Sequence, residues 1–162
     1  MARLFGSLLL LAILAYAIWP YYSLYRIDAL LQAEAPEALE PYVDLVAIQD
    51  HYRARLDSSI DALVPGATTE QPEAMRWLFS GLQRLSANAV EQMITLKWVK
   101  RALLEAAEQG SGTSTASLTD GVEFAFFESW DRFVVRLGPL GRETHVLMQL
   151  VDGGWRITDI ID

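Results

Sequence analysis

The chain has 162 residues, a formal net charge of −8 and no cysteine. Without cysteine there are no disulfides, thiolate metal sites or cysteine nucleophiles. The charge becomes −10 over residues 27–162 once Arg3 and Arg26 leave the count, so phosphate backbones and anionic headgroups are repelled, nucleic acid is not an expected partner, and the domain is expected to stand off the bilayer.

The first element is an uncharged run of 22 residues from Leu4 to Tyr25, bounded by Arg3 and Arg26. As a helix it reaches about 33 Å, against a hydrocarbon core of about 30 Å. Leu8, Leu9, Leu10, Leu11, Ile13 and Leu14 form its apolar centre. Trp19, Tyr21, Tyr22 and Tyr25 gather at its end, where amphipathic rings suit the headgroup layer. Residues 1–25 are therefore expected to be a retained signal anchor, with Pro20 tolerated near the boundary. Arg3 favours a cytoplasmic N-terminus, which places the domain outside the cytoplasm. The rival expectation is cleavage after Ala17, because Ala15-Tyr16-Ala17 has the small-x-small form of a signal-peptidase site.

Residues 26–162, about 137 in all, suffice for one domain with a real core. The apolar spacing of Leu24, Ile27 and Leu31 lets the anchor helix run on into the domain. Residues 34–41, bracketed by Pro36 and Pro41, read as a turn or a single helical turn. Asp44 is the expected N-cap of a helix, with Val43 and Ile48 as its hydrophobic staple. Its stripe is Leu45, Ile48, Tyr52, Leu56, Ile60 and Leu63, ended by Pro65-Gly66. A second helical region runs from Pro72 to about Gln109, with a break expected near Asn88 or Thr95. The helical part thus spans 26–109.

Gly110 to Gly121 is rich in Gly, Ser and Thr and is expected to be a mobile connection. Over 122–162 the apolar period switches to two. Val122, Phe124 and Phe126 are expected on one face of a first strand; Phe133, Val135 and Leu137, then Val146, Met148 and Leu150, mark the next two. Asp152-Gly153-Gly154 signals a tight hairpin into a last strand, Trp155 to Ile161. Helices followed by a four-stranded antiparallel meander give an α+β fold with the helices packed on the sheet.

With these residues in view, the chain resembles the bacterial domain of unknown function 2939 family. The similarity rests on the apolar helix leading into Pro20-Tyr21-Tyr22-Ser23-Leu24-Tyr25, on Leu39 through Tyr42-Val43-Asp44 opening a helix, and on the ending Gly154-Trp155-Arg156-Ile157-Thr158. The resemblance implies a bacterial membrane-associated protein and carries no catalytic residues with it. The order of elements is also similar to the cystatin and nuclear-transport-factor folds, an analogy of architecture alone.

No reactive constellation stands out. His51 and His145 lack the spacing of a metal pair and are expected at the surface or rim. Glu34, Glu37, Glu40, Asp44 and Asp50 lie near helix starts, where the dipole favours negative charge. Gly110-Ser111-Gly112 lacks the preceding strand and following Lys of a phosphate loop. Tyr42, Tyr52, Trp77, Phe124, Phe126 and Trp155 could line an apolar pocket or simply fill the core. Trp130, in the turn between the first two strands, is the candidate partner contact.

The expected function is non-enzymatic, with no cofactor and no metal. It is that of a single-pass protein of the bacterial inner membrane with its C-terminal domain in the periplasm, acting as an interaction or accessory subunit of a larger membrane complex. The alternatives are a domain that binds a small apolar ligand or lipid at the membrane surface, and a carboxylate-dependent hydrolase, whose chemistry leaves no sequence signature.

Overall fold

The computed structural model describes residues 2–63, 88–113 and 117–161. Helix α1 (Ala2–Leu31) leads through a 3-10 turn (Pro36–Tyr42) to α2 (Leu45–Leu63). A helical stretch over 88–93 precedes α3 (Leu96–Ser111), and a second 3-10 turn (Leu118–Gly121) opens the sheet. The strands β1 (Val122–Ser129), β2 (Arg132–Leu137), β3 (Thr144–Val151) and β4 (Gly154–Ile161) form one antiparallel meander in chain order. The fold is α+β, helices first and sheet last, as the switch in apolar period predicts.

Local chemistry sets the helix starts. Asp44 accepts the Ala47 amide at 3.0 Å and caps α2, while Val43 and Ile48 are both buried beside it. Thr95 accepts the Trp98 amide and caps α3, so the expected break falls at 94–95 and Asn88 lies within the helical stretch before it. The α2 stripe buries Ile48 and partly covers Leu45 and Tyr52, but Leu56 is exposed. Pro65-Gly66, Pro72 and Trp77 lie outside the described residues.

A single-residue shift in the sheet changes which aromatics face inward. The β1–β2 register slips between Val122 and Phe124. An extra residue in one strand inverts the alternation beyond it. Val122 therefore packs on the core with Ala125 and Phe127, and Phe124 and Phe126, expected to face inward with Val122, are exposed. The other strands keep their expected phase: Phe133, Val135, Leu137, Val146, Met148, Trp155 and Ile157 are all buried. Asp152 and Gly153 both have positive φ, 50° and 75°, the twist-matched geometry of a two-residue hairpin turn.

The segment expected to be a mobile connection is packed at both ends. α3 runs on to Ser111, Gly112 closes it in the left-handed region at φ 72°, and Ser117 with Asp120 forms a capping box on the second 3-10 turn. Leu118 is buried, and its amide donates to the Asp28 carboxylate of α1 at 2.6 Å. Glycine is needed here for close approach: a Cβ on Gly121 would lie 2.8 Å from the Ala107 Cα, and one on Gly110 2.6 Å from the Gly121 carbonyl oxygen. The composition that reads as a linker is the signature of a helix pressed against a turn.

Candidate functional site

Helix α1 has two faces with different destinations. Residues 4–15 are exposed on every side. From Tyr16 onward one stripe turns inward: Tyr16 packs against the core, Pro20, Ser23, Leu24, Ile27 and Leu31 are buried, and the spacing of three or four residues is that of one helical face. The opposite face carries Ile18, Trp19, Tyr22 and Tyr25, all exposed, and continues the line of Leu4, Leu8 and Leu11. The expected boundary between anchor and domain at residue 25 thus falls within the part of α1 that is already domain core.

Tyrosine hydroxyls fix α1 along the outer edge of the sheet. Tyr16 donates to the Trp130 carbonyl, and Tyr21 donates to the Ala125 carbonyl at 3.2 Å. Both acceptors lie on β1 or its turn, whose free edge otherwise presents unpaired backbone groups. Their rings also pack: Tyr16 stacks on Phe127 at 6.0 Å between centroids, and Tyr21 meets Phe133 edge-on at 4.9 Å. Pairs of this kind contribute about 0.5–1.5 kcal/mol beyond their buried area. Of the four aromatics expected in an interfacial belt, Tyr21 is a clamp on the sheet, while Trp19, Tyr22 and Tyr25 stay on the outward face.

The opposite edge is closed by α2. The Asp44 amide donates to the Ile157 carbonyl at 2.8 Å, and Val43 bridges Ile157 in parallel. The β3–β4 register shifts at Leu147/Met148, which leaves Thr158 out of the ladder, and His51 Nδ1 lies 3.0 Å from the Thr158 carbonyl. Arg55 holds Asp159 through two bonds, 2.7 and 2.9 Å. That hydrogen bond raises the Arg55 pKa above its ordinary value, so the guanidinium stays charged. His51 Nδ1 is 3.7 Å from the same carboxylate. A histidine beside a buried aspartate has the outline of an acid-base pair, yet both Asp159 oxygens are spent on Arg55 and one also accepts the Ile160 amide. The cluster ties α2 to β4.

The aromatics considered as a pocket do not converge. Trp155 is buried among Phe127, Phe133 and Tyr16; Tyr52 meets Trp98 edge-on at 5.2 Å and donates to the Ile160 carbonyl; Tyr42 accepts from Arg26 at 3.4 Å. Phe124 and Phe126 lie together on the outer face of the sheet, 5.2 Å apart. The open groove of about 680 Å³ lies elsewhere, between α3 and the β2–β3 connection, with Arg101, Glu105, Arg142, Glu143, Thr144 and His145 among its lining. Glu143 has its pKa lowered by bonds from its own amide and from that of Gly141. Among the described residues no group of three histidine or carboxylate side chains is placed to hold a metal ion. Trp130 stands exposed at the β1–β2 turn, where its position in sequence predicts it.

Sequence reading missed Tyr16, Asp28 and the Arg55–Asp159 pair. Only Tyr16 left a signal: the spacing of Leu24, Ile27 and Leu31 extends backward through Pro20 to Tyr16, inside the apolar run.

One described helix, over Leu4–Leu31, is long and apolar enough to cross a membrane or to serve as a signal sequence. The family described as Protein of unknown function (DUF2939) matches residues 9–102, more than half of the chain. The chain belongs to that family. The match takes in most of α1, all of α2 and the start of α3, so the DUF2939 signature is the helical part of the fold, and the Gly154–Thr158 ending lies outside it. No curated protein matches the chain, and no solved structure does.

Proposed function

We propose that this DUF2939 protein is a non-enzymatic single-pass protein of the bacterial inner membrane, its domain on the periplasmic side, acting as an interaction or accessory subunit of a membrane complex. The observation that carries the reading is that α1 is at once an exposed apolar helix over residues 4–15 and a strip of domain core from Tyr16 to Leu31. A helix shared in this way fixes the domain in distance and orientation relative to the membrane, which suits a protein that must meet a partner in the same bilayer. The same packing supports retention of α1, because cleavage after Ala17 would remove the Tyr16 hydroxyl from the Trp130 carbonyl and its ring from Phe127. The alternative of an apolar small-molecule site draws no support from the groove at α3, whose rim carries Arg101, Glu105, Arg142 and Glu143.

The test is extraction of native membranes. The full-length protein should resist alkaline carbonate, and in mild detergent it should migrate with a defined second protein at fixed stoichiometry. Recovery of free monomer under conditions that preserve other membrane complexes would refute the accessory role. Release by carbonate would refute the anchor.

A further inference from the structure

The anchor is too short to hold the domain clear of the bilayer. The exposed part of α1 before the domain begins, residues 4–15, spans about 18 Å at 1.5 Å per residue, against a hydrocarbon core of about 30 Å. Closing that gap with helix alone would take roughly eight more residues and would carry Tyr16, with the β1–β2 turn bonded to it, about 12 Å below the headgroups, through a stretch where Tyr16 packs on the core and Pro20 and Ser23 are buried. A bilayer that thins around the short exposed part of α1 closes it at a cost of fractions of a kcal/mol per Å. The outward face of that stretch, Ile18, Trp19 and Tyr22, is exposed and of the composition the headgroup boundary favours.

The topology fixes which end of the sheet meets the lipid. α1 runs from Tyr16, bonded at the β1–β2 turn, to Asp28, bonded to the 3-10 turn that precedes β1. The β1–β2 turn therefore lies at the membrane end of α1, and the β2–β3 connection at the far end. At the tip of the near turn Trp130 is 73% exposed, with its own carbonyl tied to Tyr16. Trp is the side chain best matched to the headgroup layer. Asp131 follows it, and the neighbouring β3–β4 turn carries Asp152, charges that stop the end of the sheet from sinking below the headgroups.

We infer that the DUF2939 domain does not stand off the bilayer but rests in its surface, with the bilayer thinned around the exposed part of α1 and Trp130 inserted in the headgroup layer as a second membrane contact beside it. The occupant is zwitterionic lipid, since the domain's negative charge opposes anionic headgroups. This inference rests on the anchored reading above.

The chain lacks cysteine, so single reporters can be placed without background. Full-length Trp130→Cys, Leu140→Cys and Leu10→Cys are spin-labelled in phosphatidylcholine nanodiscs, and accessibility to oxygen and to a water-soluble nickel chelate is measured. Leu140 is 77% exposed on the far connection and serves as the aqueous reference. The expected result is a label at Leu10 in hydrocarbon, and one at Trp130 several-fold less accessible to nickel than that at Leu140. Ser129→Cys, at the same turn, repeats the measurement should the Trp130 variant fold poorly. Equal nickel accessibility at Trp130 and Leu140, with Leu10 in hydrocarbon, overturns the seated domain and leaves the anchor standing, meaning that α1 peels from the sheet. A label at Leu10 that is itself aqueous overturns both.

Discussion

At the scale of single residues, burial and pairing separate structural charge from free charge. Asp159 is 4% exposed and receives both Arg55 nitrogens and the Ile160 amide. Asp159→Asn leaves Arg55 without its carboxylate, and the loss of a charge-assisted pair is worth about 1.5–3 kcal/mol. Urea titration of the variant should show this as a lower midpoint at unchanged slope. Gly121 is fixed by space: Gly121→Ala brings a Cβ to 2.8 Å from the Ala107 Cα and should cost about 1–3 kcal/mol by overpacking, read in the same titration. Glu143 contributes to the acid dependence. Its pKa is held below the ordinary 4.5 by the Glu143 and Gly141 amides, so the unfolded chain binds the proton more readily than the native one. The stability this supplies is present above the unfolded value and is lost as pH falls through the folded one. Glu143→Gln should therefore flatten the decline in melting temperature below about pH 4.5, and a small, salt-sensitive effect is expected because the group is on the surface.

At the scale of elements, α1 is the piece whose removal tells most. Leu24, Ile27 and Leu31 are each nearly or fully buried. At about 1.5–3 kcal/mol for each such side chain, their loss removes about 5–9 kcal/mol, comparable with the whole stability of a small domain. A fragment 32–162 should then fail to give a cooperative thermal transition, whereas a fragment 16–162 should unfold cooperatively. A cooperative 32–162 fragment would mean that α1 is dispensable to the core. Much of this element was readable in the sequence, because an apolar run with an inward stripe of Leu24, Ile27 and Leu31 announces a helix that continues past the uncharged segment. The inversion of β1 was not. One residue of register slip between Val122 and Phe124 leaves the residue order untouched while it exchanges Phe124 and Phe126 for Ala125 and Phe127 on the inner face. The Gly110–Gly121 segment misleads for a related reason, since glycine serves free loops and tight contacts alike.

For the whole molecule, the amino-acid sequence determined the architecture. A 22-residue uncharged run, capped helices with apolar stripes and three turn-linked strands after a first of ambiguous phase give an α+β domain behind an apolar helix, because local periodicity and turn chemistry need no distant partner to be read. The tertiary structure decided how far the domain reaches into the apolar helix. That boundary depends on which face of α1 meets the sheet, a matter of contacts more than 100 residues apart such as Tyr16 to Trp130 and Tyr21 to Ala125. Long-range pairing of this kind leaves no local pattern, so the same aromatic cluster that reads as a membrane belt in one dimension is, in three, divided between an outward face of α1 and a clamp on the sheet edge.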